Sequence, residues 1–177
     1  MERVTKAKVL GAQDGKAGPL ITCGVRFMAW SDETGGTVSI VEHPIPPRTL
    51  AAPLHRHTRE DEYSYVVEGR VGAWADGEVV YGEPGDLIFK PRNQWHTFWN
   101  DGDEPARLIE VISPAGFEHF FDELVDLPRD SVGLTAPDAL DELGERYGLE
   151  FDMEGTERIR AEFDLRLDPL PVAAARA

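Results

Sequence analysis

The chain has little cysteine, few basic residues and no long apolar run, and each shortage excludes a class of protein. Cys23 is the single cysteine among 177 residues, so no disulfide can form within the chain. A lone cysteine of this kind reads as a small buried residue. Lysine and arginine number 18 against 33 acidic residues, a formal net charge of −15. Nucleic-acid backbones and anionic membrane surfaces attract basic proteins, so neither is expected as a partner. No apolar run approaches the roughly 20 residues that a membrane-spanning helix needs. The start, Met1-Glu2-Arg3-Val4-Thr5-Lys6, lacks the apolar core of a secretion signal, and a cytoplasmic location is expected. There is no internal repeat and no helix-turn-helix segment. The length and a hydrophobic content of 41% suffice for one sizeable core.

Histidine is scarce too, at five residues, but three of them stand in two short segments rich in metal-ligating groups. The first is His55-Arg56-His57-Thr58-Arg59-Glu60-Asp61-Glu62, followed by Gly69. The second runs from Gly85 and Asp86 through Pro91 and Asn93 to His96, followed by Asn100. Imidazoles with a carboxylate suit borderline divalent metals. Alternate residues of a strand share a face, so His55 and His57 point the same way. Glu62 opens the apolar run 63–67 and His96 stands in another, 95–99, so these two would arrive from separate strands. Glu60 has the same strand parity as Glu62 and competes for the acidic position. His43 and His119 lie outside both segments and read as ordinary solvent-facing or packing residues.

Strand signals dominate up to Pro114. Residues 7–10 and 20–22 are weak candidates on either side of the turn-rich 14–19, and 25–30 is a stronger one. Residues 37–42 alternate and read as a strand that Pro44, Pro46 and Pro47 stop. Asp76-Gly77 between 71–75 and 78–81 is a two-residue hairpin signal. Residues 86–90, 95–99 and 106–113 complete an all-β pattern. After Pro114 the period changes. Phe117, Phe120, Phe121, Leu124 and Val125 lie on one helical face, and Pro128 closes that helix. A second helix is expected over 137–147, stopped by Gly148. Residues 153–163 read as a third short helix or a segment that pairs with a partner subunit. Residues 169–177 read as a loose end.

The spacings His-x-His-x4-Glu-x6-Gly and Gly-x5-Pro-x-Asn-x2-His-x3-Asn closely resemble the two motifs of the cupins, over about residues 46–113. Two positions depart from the family pattern: Thr49 and Asn93 stand where it has glycine. The resemblance implies an all-β fold, a double-stranded β-helix or jelly-roll barrel with the C-terminal helices packed outside. Residues 1–36 would be N-terminal strands and loops, 37–114 the barrel, and 115–177 a helical segment and tail. It implies that His55, His57, Glu62 and His96 ligate one divalent transition metal per chain, drawn from Mn, Fe, Co, Ni or Zn. Glu62 would also be the catalytic carboxylate that takes a substrate proton. Strand parity adds Ser64, Val66 and Phe98 as pocket candidates on the ligands' side.

Among single-barrel cupins the chain is most similar to the quercetin 2,3-dioxygenase-like group, with the helix at 117–124 as a further cue. That similarity implies a dioxygenase acting on an aromatic enol or polyphenol-like small molecule together with dioxygen. The same constellation also serves isomerases, lyases and cyclases on small carbonyl compounds, and non-catalytic binding proteins. A homodimer is expected, because exposed strand edges tend to be paired or covered. Trp95 and Trp99 face away from the metal and offer apolar surface to a second barrel or to the C-terminal helices.

Overall fold

The computed structural model describes residues 6–127 and 137–168. Their strands are β1 (Ala17–Pro19), β2 (Gly24–Ala29), β3 (Ser39–Ile45), β4 (Thr49–Leu50), β5 (His55–His57), β6 (Asp61–Glu68), β7 (Val71–Ala75), β8 (Glu78–Gly82), β9 (Leu87–Lys90), β10 (His96–Asn100), β11 (Ala106–Ser113) and β12 (Leu149–Phe151). The helices are α1 (Ser31–Thr34), α2 (Glu118–Asp126), α3 (Pro137–Tyr147) and α4 (Met153–Glu162). One sheet has the order β1-β2-β3-β11-β6-β9. The other has the order β12-β5-β10-β7-β8, with β4 also paired to β10. The strand pairs are antiparallel throughout. The two sheets stay open rather than closing into one ring, which is the jelly-roll solution.

Alternation builds the core. Along β11 every second residue is buried, among them Leu108, Glu110 and Ile112. Val66, Val71, Ala73 and Leu108 are fully buried in one cluster that also takes in Phe117, Phe120 and Leu124 beside α2, and Leu143 of α3. The two helices therefore lie outside the sheets while their apolar side chains complete the interior. Turn chemistry fixes the hairpins. Asp76 (φ 48°) and Gly77 (φ 98°) both adopt the left-handed conformation that a tight two-residue hairpin requires. Gly69 leaves β6 at φ 72°, and a Cβ there would come within 2.9 Å of the Ala106 backbone. Asn93, standing where the family has glycine, is left-handed at φ 64°.

The sequence reading needs correction in the N-terminal third. Residues 7–10 form no strand, and the first strand is Ala17–Pro19, inside the turn-rich segment, rather than 20–22. Proline is tolerated there because β1 is an edge strand. The third strand runs Ser39–Ile45, through Pro44, rather than stopping before it. Its pairing with β2 ends at Glu42, while Pro44 pairs only toward Arg107 of β11. The Gly24 carbonyl on the other side is taken by the His43 ring at 2.9 Å. The short α1, β4, β5 and β12 carry too few residues for a periodic signal.

Trp99 is covered within the chain. It is fully buried with Leu50, Leu54, Ile159 and Leu165, and it stacks on Phe163 at 4.5 Å. Gly72, opposite it on β7, leaves room for the indole. The third helix, α4, starts at Asp152, whose side chain accepts from the Gly155 amide at 2.8 Å. Gly148 ends α3 at φ 71°, as read from the sequence. The expectations for Pro128 and for residues 169–177 lie outside the described residues.

Candidate metal centre

Two strands of one sheet deliver three imidazoles, and the facing sheet delivers a carboxylate. His55 and His57 leave β5 on the same side, and β10 sets His96 directly beside His55. Glu62 comes from β6. The ring centroids lie 4.4 Å (His55–His96), 5.1 Å (His55–His57) and 5.5 Å (His57–His96) apart. One ligand atom from each of the four residues falls within 4.8 Å of all the others, and all four residues are buried. This His-His-Glu-His cluster could hold a metal ion.

The ring orientations fit that use. His55 and His96 each bond the carbonyl two residues earlier through Nδ1, Pro53 at 2.7 Å and Gln94 at 3.0 Å. A carbonyl can only accept, so Nδ1 carries the proton and Nε2 keeps its lone pair for an ion. His57 is fully buried, and neither ring nitrogen makes a hydrogen bond. Its Nε2 stands 3.2 Å from Glu62 Oε1 without the alignment of a hydrogen bond. Its close partners are carboxylates out of hydrogen-bond alignment, which leaves its nitrogens available to a ligated ion. Glu60, the sequence competitor for the acidic position, sits on the other side of that ring, 3.6 Å from Nδ1.

Burial pushes the His55 and His96 rings below their ordinary pKa, so both are neutral. Burial also acts against a charge on His57, but Glu62 and Glu60 outweigh it and raise the ring to about 9. Burial likewise opposes ionisation of Glu62, yet Lys90 and His57 hold its carboxyl well below the usual range. A metal must therefore displace a proton from His57. Apparent affinity should weaken about tenfold for each pH unit below about 9, with one proton released per ion bound. Calorimetric titrations at pH 7 and pH 8 in buffers of different ionisation enthalpy check both, and equal affinities would contradict the assignment.

Two polar residues around the cluster escaped the sequence reading. Lys90 of β9 is fully buried and bonds Glu62 Oε2 at 2.8 Å and Glu110 Oε2 at 3.0 Å. Its Nζ also sits over the Phe98 ring, 4.7 Å from the centroid. Glu110 of β11 accepts from Ser64 Oγ at 2.9 and 3.0 Å. Burial raises the Glu110 carboxyl to about 7 against the pull of Lys90. His43 takes the packing alternative of its reading: it is buried, and burial lowers it to about 4, so the ring is neutral. The other outlying histidine, His119, is half exposed, with its ring 3.2 Å from Ser31 Oγ.

A narrow pocket, partly open to solvent, reaches His55, His57 and Glu62. His43, Glu110 and Phe98 also line it, with Phe117, Phe120 and Phe121 opposite. Phe98 thus faces the cavity as its parity suggested. Ser64 and Val66 do not. Ser64 turns to Glu110, and Val66 is buried in the main core. Strand parity places a side chain on a face but not at a depth along it, which is why these two differ from Phe98.

Residues 42–112 match the cupin domain model. The chain is 31% identical over 115 residues to quercetin 2,3-dioxygenase of Bacillus subtilis (strain 168), covering 65% of this chain and 34% of that protein. It is 41% identical over 63 residues to gentisate 1,2-dioxygenase of a Ralstonia species, covering 34% of this chain and 17% of that one. The aligned parts are thus about a third of the first of these enzymes and about a sixth of the second. The solved structure of KdgF from Halomonas sp. superposes with a TM-score of 0.56 at 18% identity, covering 64% of this chain and 99% of that one. That likeness speaks for the fold. Facing jelly-roll sheets, ligand spacing and domain match agree that residues 42–112 are a cupin domain, most like that of quercetin dioxygenase-like cupins.

Proposed function

We propose that this chain is a metal-dependent dioxygenase acting on an aromatic, enolisable small molecule. The observation that carries the reading is the wall of the cavity. Beyond the three ligands that reach it, the wall is mainly aliphatic and aromatic, and no lysine or arginine among the described residues lines it. The one ammonium nearby, Lys90, is taken up by Glu62 and Glu110. A phosphorylated or polyanionic substrate would find no cation there. A flat aromatic body would find phenylalanine faces, with one oxygen-bearing edge turned to the ligand cluster.

When bound, a divalent transition ion supplies a Lewis acid for that oxygen and, if redox-active, a path for electrons to dioxygen. The chain supplies the rest. His55 and His96 present neutral nitrogens, His57 presents one once its proton is displaced, and Glu62 adds the negative charge that favours a cation. Glu62 also takes the proton released as the substrate hydroxyl ionises. It is a weak base while Lys90 bonds it, so transfer to it requires an acidified hydroxyl. His43 offers its second ring nitrogen to another substrate hydroxyl, since Nδ1 is held by the Gly24 carbonyl. Phe117, 4.3 Å from the His57 ring, excludes water from that side.

The presence of His43 and Glu110 on the cavity wall also suits a second reading, proton transfer on a small carbonyl compound without dioxygen. An oxygen electrode separates the two. Metal-loaded protein with a panel of phenolic enols and β-diketones should consume dioxygen in step with substrate loss. Turnover without oxygen uptake would move the chain to the isomerase, lyase or cyclase class. Tight binding without turnover of any ligand would make it a binding protein.

A homodimer remains the proposed assembly, but not through Trp99, which the chain itself covers. One apolar strip left exposed is Tyr65, Leu87 and Phe89 on the outer side of β6 and β9, where Phe89 stacks on Tyr63 at 4.8 Å, and Val79, Val80 and Tyr81 of β8 are another. β9 is also an edge strand. Light scattering should give about twice the chain mass of 19.7 kDa, shifting toward that mass in Leu87→Glu/Phe89→Glu. A wild-type value at the chain mass would contradict it.

A further inference from the structure

A lysine with no exposed surface beside a metal-ligating carboxylate is electrostatically awkward. The ammonium repels the dication that the carboxylate attracts, and burial withholds water from both. Three neighbouring strands resolve this. Glu62 on β6 pairs directly with Lys90 on β9, and Glu110 lies on β11, on the other side of β6. Lys90 Nζ bridges Glu62 Oε2 at 2.8 Å and Glu110 Oε2 at 3.0 Å, and the Phe98 face covers it. Ser64, paired with Glu110 across the strands, donates to both oxygens of that carboxylate and fixes it.

We propose that Lys90 and Glu110 are the positioning pair of the metal centre, Lys90 fixing which oxygen Glu62 offers and Glu110 cancelling the charge of Lys90. The ammonium bonds Glu62 Oε2, which also lies 3.1 Å from His96 Nε2, while Oε1, 3.2 Å from His57 Nε2, has no lysine on it. Oε1 is thereby the oxygen that Glu62 would offer more readily to an ion. Glu110 makes the arrangement tolerable for a dication, because the two partners together bring no net charge to the cluster. Neither residue needs to touch the ion. The inference rests on the cluster being a metal site, and its test keeps the two claims apart.

Wild type, Glu110→Gln and Lys90→Met/Glu110→Gln are titrated with Co²⁺ at pH 8, following the ligand-field absorption. Wild type should bind. Glu110→Gln should bind at least tenfold more weakly although it removes no ligand, because the ammonium is then uncompensated. The double variant should regain most of that affinity, since the repulsion is gone. Its Co²⁺ spectrum should still differ from wild type, because Glu62 has lost the donor that held Oε2. A folded Glu110→Gln that binds like wild type overturns the proposal, and so does a double variant whose spectrum is unchanged. If Glu110→Gln fails to fold, the spectrum of the double variant decides alone. Wild type that binds no Co²⁺ sinks the metal reading itself, and this proposal with it.

Discussion

His96→Ala is expected to give a folded barrel with no measurable turnover. His96 comes from β10, apart from the His55/His57 pair on β5, and it closes the cluster against Glu62 at 3.1 Å. Its loss leaves two imidazoles and one carboxylate, so geometry and charge at the ion both change. Loss of a group that only orients a metal ligand costs about 10–100-fold, and loss of a ligand should exceed that. The fold should persist because it rests on apolar burial between the sheets, with Val66, Val71, Leu108 and Ile112 fully enclosed. Circular dichroism, metal content and activity are measured on one preparation, using whichever substrate the oxygen-uptake panel yields. A folded variant with undiminished turnover would show that the cluster is not the catalytic centre.

Trp99→Ala is expected to cost about 3–5 kcal/mol, the range for emptying a large aromatic from a core. Trp99 is fully buried, stacks on Phe163, and joins β10 to Leu54 near β5 and to Ile159 of α4. The loss should appear in chemical denaturation of the isolated chain and should not depend on protein concentration. A cost that appears only where subunits associate would place the indole at an interface instead. An unchanged midpoint would mean that α4 does not depend on this packing.

The candidate metal cluster was legible because fixed spacings carry it. His55 and His57 need only strand parity, and the glycine and proline positions around Glu62 and His96 set the turns that bring those strands in. Asp76-Gly77 and Gly148 were legible for a similar reason, since positive φ leaves a mark on residue choice. Lys90 was not. In Leu87-Ile88-Phe89-Lys90 composition favours Leu87 and Phe89 inside, yet these are 58% and 51% exposed while Lys90 is buried. Only the register that pairs Lys90 with Glu62 turns the lysine inward, and register is a long-range property. His43 was read as solvent-facing or packing, and only a long-range partner decides for packing, a carbonyl 19 residues away. Ser64 and Val66 show the converse limit, since correct parity did not bring them to the cavity. Phe117 and Phe121 were read as one face of a helix, but nothing local said that this face meets the ligand cluster.

The central claim is that Glu62 is the acidic member of a metal site formed with His55, His57 and His96. Glu60 is the sharpest control, being buried and close to the same histidine but on its Nδ1 side. Wild type, Glu62→Ala and Glu60→Ala are expressed in metal-supplemented medium, purified, and assayed for bound metal by elemental analysis. The expected result is about one ion per chain in wild type, most of it kept in Glu60→Ala, and almost none in Glu62→Ala. Full metal in Glu62→Ala with loss in Glu60→Ala would contradict the account.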